Sequence, residues 1–403
     1  MYIFCIIKFI INVYYIMINN TKKKYFSSIF LAIIGDKIGF DNGNREKNYD
    51  NIILLDENSE KMCEVVSTWL ILQFISTGGI QGLDLNKLLY SDDTIMHLDT
   101  ISALCDDYIN RDKLYDTIVE NYLESFKDIN EMRNKYLAGL QTIEAIKDIN
   151  SGVNWRKFQY KKNAGGSGGP MRTMCLGLAF NKNNNLLKLI ESCIMISSIT
   201  HPNCIAFIGS IASALFISYA LNNDEPTTWI FNFIRLLDSE IIDNIIIKIK
   251  PNFIEYFIED KKVFLYKLNT YVETSFHDGS YIVTGRNSRM IYPYLRMIYY
   301  HDNFSSNKKV LYPGGGSDDC IIIAYDSLLM SKDNYEHLIY NSMINIGDSD
   351  TVGTIASAWY GALYGFNGVP KSLINKSDND YKMIKKVSKV FHSKYYDKVI
   401  KEF

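Results

Sequence analysis

Apolar segments with a helical repeat dominate this sequence and leave little of the chain for a sheet. Prolines number 7 in 403 residues, alternating strand-like runs are scarce, and glycines gather in loops between the apolar segments. The 3.6-residue spacing of buried or amphipathic helices runs through residues 62–75, 93–109, 186–199, 204–221 and 352–364. The pattern predicts an all-α protein with a single large helical domain.

Composition excludes several classes of protein. Hydrophobic residues make up 47% of the chain, which is too much for a disordered polypeptide. Lys plus Arg is 43 and Asp plus Glu is 45, so no basic excess exists to neutralise the phosphates of a nucleic acid. Seven cysteines form no C-x-x-C pair and no zinc spacing, which indicates reduced thiols in an intracellular protein.

The two ends of the chain differ from its middle. Residues 1–18 are almost wholly apolar but lack the basic start and the small-residue cleavage site of a secretory signal. A signal-anchor, a packed or disordered extension, and an upstream start codon that is not used are the three interpretations. We favour a soluble domain that begins at Met17, with residues 1–16 as extra sequence and a first helix from near Tyr25.

The C-terminal segment, residues 371–403, is rich in lysine. It predicts a solvated amphipathic helix that follows a main domain of residues 17–370, with an interaction tail as the alternative.

Two acidic motifs each precede an apolar helical segment. They are Ser91-Asp92-Asp93-Thr94 and Gly347-Asp348-Ser349-Asp350-Thr351. Helix capping by Ser, Thr or Asp explains one acid at each helix start. It does not explain two acids with a hydroxyl at both starts. If the motifs meet, their carboxylates need a cation, and hard oxygen ligands select Mg²⁺, Mn²⁺ or Ca²⁺ rather than zinc.

A glycine-rich loop, Ala164-Gly165-Gly166-Ser167-Gly168-Gly169-Pro170, precedes a predicted helix over 171–180. Its backbone N–H groups are able to form an anion site at the helix N-terminus. A flexible turn is the alternative, because the loop has neither the Gly-Lys-Ser/Thr of a Walker loop nor a preceding strand. Arg172 just after it is either a buried ion-pair partner, which we favour, or a phosphate ligand.

Together these blocks resemble the ADP-ribosylglycohydrolase family, and most closely its ADP-ribosylarginine hydrolase branch. The resemblance extends from about Tyr25 to Gly368 and follows the family's order of motifs. It comprises IGDKIG at 34–39, SDDTIMHL at 91–98, the glycine loop with 171–178, THP at 200–202 with ASALF at 212–216, IAYD at 323–326, and GDSDT at 347–351.

The resemblance implies an all-α domain with two Mg²⁺ ions in a central cleft, Mn²⁺ being a substitute. The implied metal ligands are Ser91, Asp92, Asp93, Asp348, Asp350 and Thr351. The implied substrate-binding residues are Gly166, Ser167, Gly168, Gly316 and Ser317. His201, beside a proline, is either structural or a further substrate contact.

The implied reaction is hydrolysis of the N-glycosidic bond between ADP-ribose and arginine in a modified protein, which releases free ADP-ribose. Asp92, Asp93 or Glu46, which lies in the mobile early loop of the arginine branch, would be the general acid or base. The alternatives are a serine or O-acyl linkage and a catalytically inactive ADP-ribose-binding scaffold. We expect a monomer in the cytoplasm or another intracellular compartment, although the apolar N-terminus keeps a membrane anchor as an alternative.

Three positions depart from the family pattern. Lys37 and Ile38 replace Ala and Leu in the first block, which predicts altered packing beside the metal site. Asp318 replaces the histidine that the arginine branch tends to carry, so the preferred linkage is less certain than the metal ligands.

Overall fold

Helices form most of the computed structural model, which describes residues 2–47, 59–181, 185–282, 293–306, 311–376 and 378–397. A two-stranded hairpin, β1 (Phe276–His277) with β2 (Ser280–Tyr281), is the one sheet within those residues. The helices are α1 (Tyr2–Phe40), α2 (Asn44–Lys47), α3 (Ser59–Ser76), α4 (Gly79–Gly82), α5 (Asp92–Cys105), α6 (Arg111–Ser125), α7 (Ile129–Asn134), α8 (Leu140–Asn150), α9 (Pro170–Ala179), α10 (Leu186–Ser198), α11 (Cys204–Asn222), α12 (Trp229–Asp238), α13 (Ile241–Ile249), α14 (Ile254–Ser275), α15 (Pro293–Phe304), α16 (Asp319–Ser331), α17 (Tyr335–Ser342), α18 (Ser349–Tyr364), α19 (Lys371–Lys376) and α20 (Asp378–His392).

The predicted all-α class is confirmed, as are the helices predicted over the five apolar segments and over 171–180, and two predicted boundaries are wrong. α1 is continuous from Tyr2 and does not begin near Tyr25. α5 ends at Cys105, before the predicted end at residue 109, and the following Asp106 is extended. Asp106-Asp107 and Asn110 break the helical repeat there, and Asn110 caps α6 by accepting from the backbone N–H of Lys113 at 3.0 Å.

α1 and α18 form a closely packed antiparallel pair at the centre of the fold. Ser27 donates to the carbonyl of Gly361 at 2.7 Å, and Ser349 donates to the carbonyl of Gly39 at 3.0 Å. A Cβ on Gly35 would lie 2.2 Å from the carbonyl oxygen of Gly353, so only glycine allows this approach. The pairing carries the C-terminal end of α1 to the N-terminal end of α18, where the second acidic motif begins.

The lysine-rich C-terminal segment is helical where the structure describes it, and α20 packs on α1. Its buried side chains include Ile384 and Phe391. Lys37 of α1 forms an ion pair with Asp380 of α20 at 2.5 Å. This departure from the family pattern therefore joins two helices rather than entering the acidic cluster.

One helix among the described residues, α11, has the length and apolarity to cross a membrane. Within the protein 83% of its apolar window is buried, as in the central helix of a core. The side chains of residues 1–19 lie outside the description, so the interpretations of the apolar N-terminus stay predictions. The five cysteines that the structure describes are free, and four of them are buried.

Candidate active site

A cleft of about 960 Å³ opens where the N-terminal ends of α5, α9 and α18 converge. It is lined by residues of both acidic motifs and of two glycine-rich loops, 165–168 and 314–317. The predicted site residues that line it are Asp92, Asp93, Gly166, Ser167, Gly168, His201, Gly316, Asp348, Asp350 and Thr351. Motifs that lie far apart in the sequence therefore share one cavity.

The first acidic motif begins α5 and is held by an aspartate from α1. Ser91 is the N-cap, and its hydroxyl accepts from the backbone N–H of Asp93 at 3.1 Å. The carboxylate of Asp36 accepts from the N–H of Ser91 at 3.0 and 3.1 Å and from that of Thr94 at 3.0 Å. Two side chains thus satisfy the free N–H groups of this helix end, which leaves Asp92 and Asp93 for other partners.

The second acidic motif begins α18 in a different way. Asp348 is the N-cap by position, but its side chain makes no capping hydrogen bond. It accepts instead from the hydroxyl of Ser167 in the glycine loop at 2.9 Å. Gly347 has φ of 109°, and a Cβ there would lie 2.2 Å from the carbonyl oxygen of Pro313. This conformation, which favours glycine, presses the loop 314–317 against the motif.

The aspartates of the two motifs repel one another. Burial raises the pKa of Asp93 well above its usual range, and the charges of Asp350, Asp36, Asp92 and Asp348 raise it further. Burial and the charge of Asp36 raise the pKa of Asp92 to about 7, although Arg172 opposes the shift. Burial and the neighbouring Asp348 raise the pKa of Asp350 well above its usual range. The cavity therefore concentrates negative charge.

This acidic cluster, defined as Asp36, Asp92, Asp93, Asp348 and Asp350, fits a divalent cation by charge and by donor chemistry. Within the described residues, no Lys or Arg forms an ion pair with Asp36, Asp92, Asp93 or Asp350. Oδ2 of Asp93 is buried without a hydrogen-bond partner. Carboxylate oxygens that have neither a hydrogen-bond donor nor a cation beside them are suitable ligands for Mg²⁺ or Mn²⁺. As placed, no three His, Cys, Asp or Glu side chains in the described part of the chain form a finished cage, so binding requires side-chain adjustment.

The two glycine loops form one wall because they are hydrogen-bonded to each other. The backbone N–H of Ser167 donates to Gly315 at 3.1 Å, and that of Ser317 donates to Gly165 at 2.9 Å. The hydroxyl of Ser317 donates to the carbonyl of Gly166 at 2.5 Å. The wall is thus a short bridge, Gly166 opposite Gly316, rather than two independent turns.

A second pair of acids, Asp318 and Asp319, follows the second glycine loop and also lines the cleft, and unlike the first cluster it is compensated. Lys267 of α14 donates to the buried carboxylate of Asp318. Asp319 accepts from the N–H of Gly316 at 2.8 Å and from the hydroxyl of Ser305 at 2.9 Å. Burial and Asp318 raise the pKa of Asp319 to about 6, and Lys267 opposes that rise.

A buried basic group lies under the first glycine loop. The guanidinium of Arg172 donates to the hydroxyl of Thr200 and contacts Nδ1 of His201 at 3.4 Å. It also lies over the ring of Tyr122 at 5.3 Å. Arg172 is buried as predicted, and the charges of Asp92 and Asp93 act on it, but no carboxylate among the residues described forms a direct ion pair with it.

Among the described side chains, two predicted site residues lie outside the cleft lining. Ser91 and Ser317 are buried, and their hydroxyls hold the cap of α5 and the glycine wall, respectively. Glu46 belongs to α2, and its side chain lies outside those that the structure describes. Their predicted roles stay predictions.

Asp36 is the main residue that the sequence interpretation did not assign to the site. It is fully buried in α1, and its partners lie 55 and 58 residues away. The clue in the sequence is a lone carboxylate inside an apolar helical segment, since an unpaired buried charge is costly.

Comparisons with known proteins agree on one family. A family model described as ADP-ribosylglycohydrolase matches residues 17–398. The ADP-ribosylhydrolase ARH1 of Dictyostelium discoideum is 30% identical over 389 residues, 92% of this chain and 93% of that protein. A protein of Acanthamoeba polyphaga mimivirus that is named as an ADP-ribosyl glycohydrolase, L444, is 33% identical over 339 residues, and the match spans 83% of this chain but 63% of L444. A solved chain from an ADP-ribosylglycohydrolase-related protein complex matches with a TM-score of 0.52 and 15% identity, over 92% of this chain and 98% of its own length, which concerns the fold alone.

Proposed function

Since the chain belongs to the ADP-ribosylglycohydrolase family, whose members are hydrolases that act on ADP-ribosylated substrates, we propose that it removes ADP-ribose from mono-ADP-ribosylated arginine in a Mg²⁺-dependent reaction. The observation that carries the proposal is the acidic cluster. Its buried aspartates repel one another, one carboxylate oxygen has no partner, and the cluster opens into a cleft beside two glycine loops.

Six residues would hold two Mg²⁺ ions. Ser91, Asp92 and Asp93 approach from the start of α5, and Asp348, Asp350 and Thr351 approach from the start of α18. Bound Mg²⁺ supplies positive charge that fixes ribose hydroxyl oxygens and favours an anionic oxygen near the reacting carbon. Mn²⁺ is the expected substitute because it accepts the same donors.

Residues of the chain have three further roles in the proposed reaction: they stabilise charge, bind the substrate and transfer a proton. Cleavage of the bond to the guanidinium develops positive charge on the ribose ring, which the carboxylates of the acidic cluster stabilise. The N–H groups of the glycine wall hold the diphosphate or the adjoining ribose. Asp92 and Asp93 line the cleft, and either would transfer the proton where metal binding leaves one of its oxygens free. Glu46 is the alternative acid.

Hydrolysis of a serine or O-acyl linkage is the second candidate, and one observation favours it. Asp318, which lines the cleft in place of the usual histidine, is engaged by Lys267 and so presents a compensated acid where an aglycone would approach. A scaffold that binds ADP-ribose without cleaving it is the third candidate.

One assay separates these candidates. Free ADP-ribose is measured after incubation of the protein with arginine-, serine- and O-acyl-linked substrates, each with Mg²⁺ or EDTA. We expect Mg²⁺-dependent release from the arginine substrate, which Asp350→Asn abolishes. Release from serine or O-acyl substrates alone would contradict the proposed arginine linkage. Binding of ADP-ribose without release from any substrate would contradict the proposed hydrolase activity.

A further inference from the structure

Three buried polar side chains form a line beneath the first glycine loop, starting at Arg172 and ending at His201. The guanidinium of Arg172 donates to Oγ1 of Thr200, and that oxygen lies 2.8 Å from Nδ1 of His201. A second contact joins the guanidinium directly to the same Nδ1 at 3.4 Å. All three side chains are at least nine-tenths buried, so water does not compete for these contacts.

Donor and acceptor capacities favour one arrangement of protons in this line. A guanidinium only donates, and a threonine hydroxyl has a single proton. Because Oγ1 of Thr200 accepts from Arg172, its own proton is free to point at His201. A proton on Nδ1 would face the N–H of Arg172 and leave the hydroxyl proton of Thr200 without an acceptor. Nδ1 is therefore the acceptor, and a neutral ring carries its proton on Nε2.

The other ring nitrogen faces the cleft. A Cβ built on Gly168 would lie 2.9 Å from Nε2 of His201, and one on Gly166 would lie 3.6 Å from it. His201 lines the cleft, and the hydrogen-bond contacts of its ring among the residues that the structure describes all go to Nδ1, which leaves Nε2 without a protein partner there. The absence of side chains at these two glycines leaves the N–H at Nε2 directed toward whatever the loop binds.

We propose that Arg172 is a positioning residue that, with Thr200, holds His201 as the neutral Nε2–H tautomer, so that the ring donates a hydrogen bond to a ligand oxygen bound against the first glycine loop. This inference rests on the proposed function for the identity of the ligand, ADP-ribose, whose phosphate and ribose oxygens are acceptors. It assigns His201 to binding and removes it from proton transfer.

The surroundings of His201 also keep its ring neutral. Burial lowers the pKa of His201 to about 3, and the positive charge of Arg172 lowers it further in the same direction. The groups facing the ring are the guanidinium, the hydroxyl of Thr200 and the backbone of the glycine loop, so no carboxylate contacts it to favour the imidazolium. A fixed neutral donor results, and its hydrogen bond is the same at pH 5 as at pH 8.

Nitrogen-15 spectra of the histidine rings in the full chain test the tautomer without any turnover. Wild type should show His201 with a protonated Nε2 and an unprotonated Nδ1, unchanged between pH 5 and 8. Arg172→Met should give signals of both tautomers, because the hydroxyl of Thr200 is then able to rotate and accept. Arg172→Lys, which keeps a donor, should restore one tautomer. A wild-type ring protonated on Nδ1, or doubly protonated at pH 6, would overturn the proposal even if the variants do not fold.

Binding of ADP-ribose, measured by calorimetry, tests the hydrogen bond. His201→Phe should weaken binding about tenfold, the size of one buried hydrogen bond to an anionic or hydroxyl oxygen. His201→Gln should recover most of that loss, because its amide N–H reaches the position of Nε2. Equal affinities of wild type and His201→Phe would contradict the inference. If the chain binds ADP-ribose in this way but hydrolyses no substrate, the proposed function fails while the tautomer assignment stands.

Discussion

The cleft contains two groups of buried aspartates that differ in how their charge is compensated. The acidic cluster of five aspartates has no lysine or arginine paired with Asp36, Asp92, Asp93 or Asp350 in the described residues, and an oxygen of Asp93 has no partner. Asp318, directly after the second glycine loop, is paired with Lys267. This difference in charge compensation indicates that the two groups of aspartates have different roles. The compensated pair holds the wall in place, while the uncompensated cluster retains a demand for positive charge that a ligand must meet.

Asp93→Asn tests the acidic cluster and should have the largest effect on stability and activity of the variants considered. In EDTA at pH 7 the variant should unfold at a higher temperature than wild type, because one of the repelling groups becomes neutral. With Mg²⁺ its ADP-ribose release should fall by about 10³-fold, since the change removes a charged donor worth several kcal/mol in the reaction. Thermal melts and initial rates measure the two effects. A variant that loses both stability and activity would show that Asp93 is a structural residue.

Asp318→Asn makes the same chemical change on the compensated side and should have the opposite effect on stability. It leaves the ammonium of Lys267 buried without its carboxylate, which costs about 3 kcal/mol or more of the free energy of unfolding. Urea unfolding measures the loss. The double variant Asp318→Asn/Lys267→Met should regain most of it, because neither charge is then buried. A single variant as stable as wild type would contradict the compensation that separates the two groups.

The sequence predicted the positions of the helices, but it did not predict which group of aspartates has its charge compensated. The apolar repeat of α11 or α18 is local, so its period is visible in any window of the chain. The compensation depends on contacts between distant residues. Asp36 meets Ser91 across 55 residues, and the hydroxyl of Ser317 meets Gly166 across 151. Both acidic motifs read as helix caps, yet the cap of α5 uses Ser91 while Asp348 is directed to Ser167. No local pattern distinguishes those outcomes.

Titration in the absence and presence of Mg²⁺ should distinguish the two groups by pH. A carboxyl whose pKa is raised by folding stabilises the protein below its unfolded pKa, near 4, and that contribution is lost as the pH rises through the folded value. Metal-free protein should therefore lose stability from about pH 4 to about pH 7, the pKa of Asp92. Mg²⁺ at 100 times its Kd should add about 3 kcal/mol at neutral pH.

Mg²⁺ should not prevent all of this pH-dependent loss of stability, because part of it comes from the compensated pair, Asp318 and Asp319. Asp319 titrates at about pH 6 and is held by Ser305 and Gly316 rather than by the acidic cluster. A residual slope below pH 6 should therefore persist with Mg²⁺, while the slope between pH 6 and 7 should vanish. Thermal melts across this range measure both. A metal-free protein that gains stability from pH 4 to 7 would contradict the repulsion.

Two serine-to-alanine changes make the smallest and sharpest comparison, because each removes a hydroxyl that donates to an aspartate at the same distance. Ser305 donates to Asp319 at 2.9 Å, and Ser167 donates to Asp348 at 2.9 Å. Ser305→Ala should cost about 1.5–2 kcal/mol of unfolding free energy, since a buried carboxylate loses a donor. Ser167→Ala should cost less than about 0.5 kcal/mol, because Ser167 is partly exposed in the cleft and water replaces its hydroxyl, but it should lower ADP-ribose release about tenfold. Equal losses of stability in the two variants would mean that the glycine wall, and not the balance of charge, decides how each aspartate behaves.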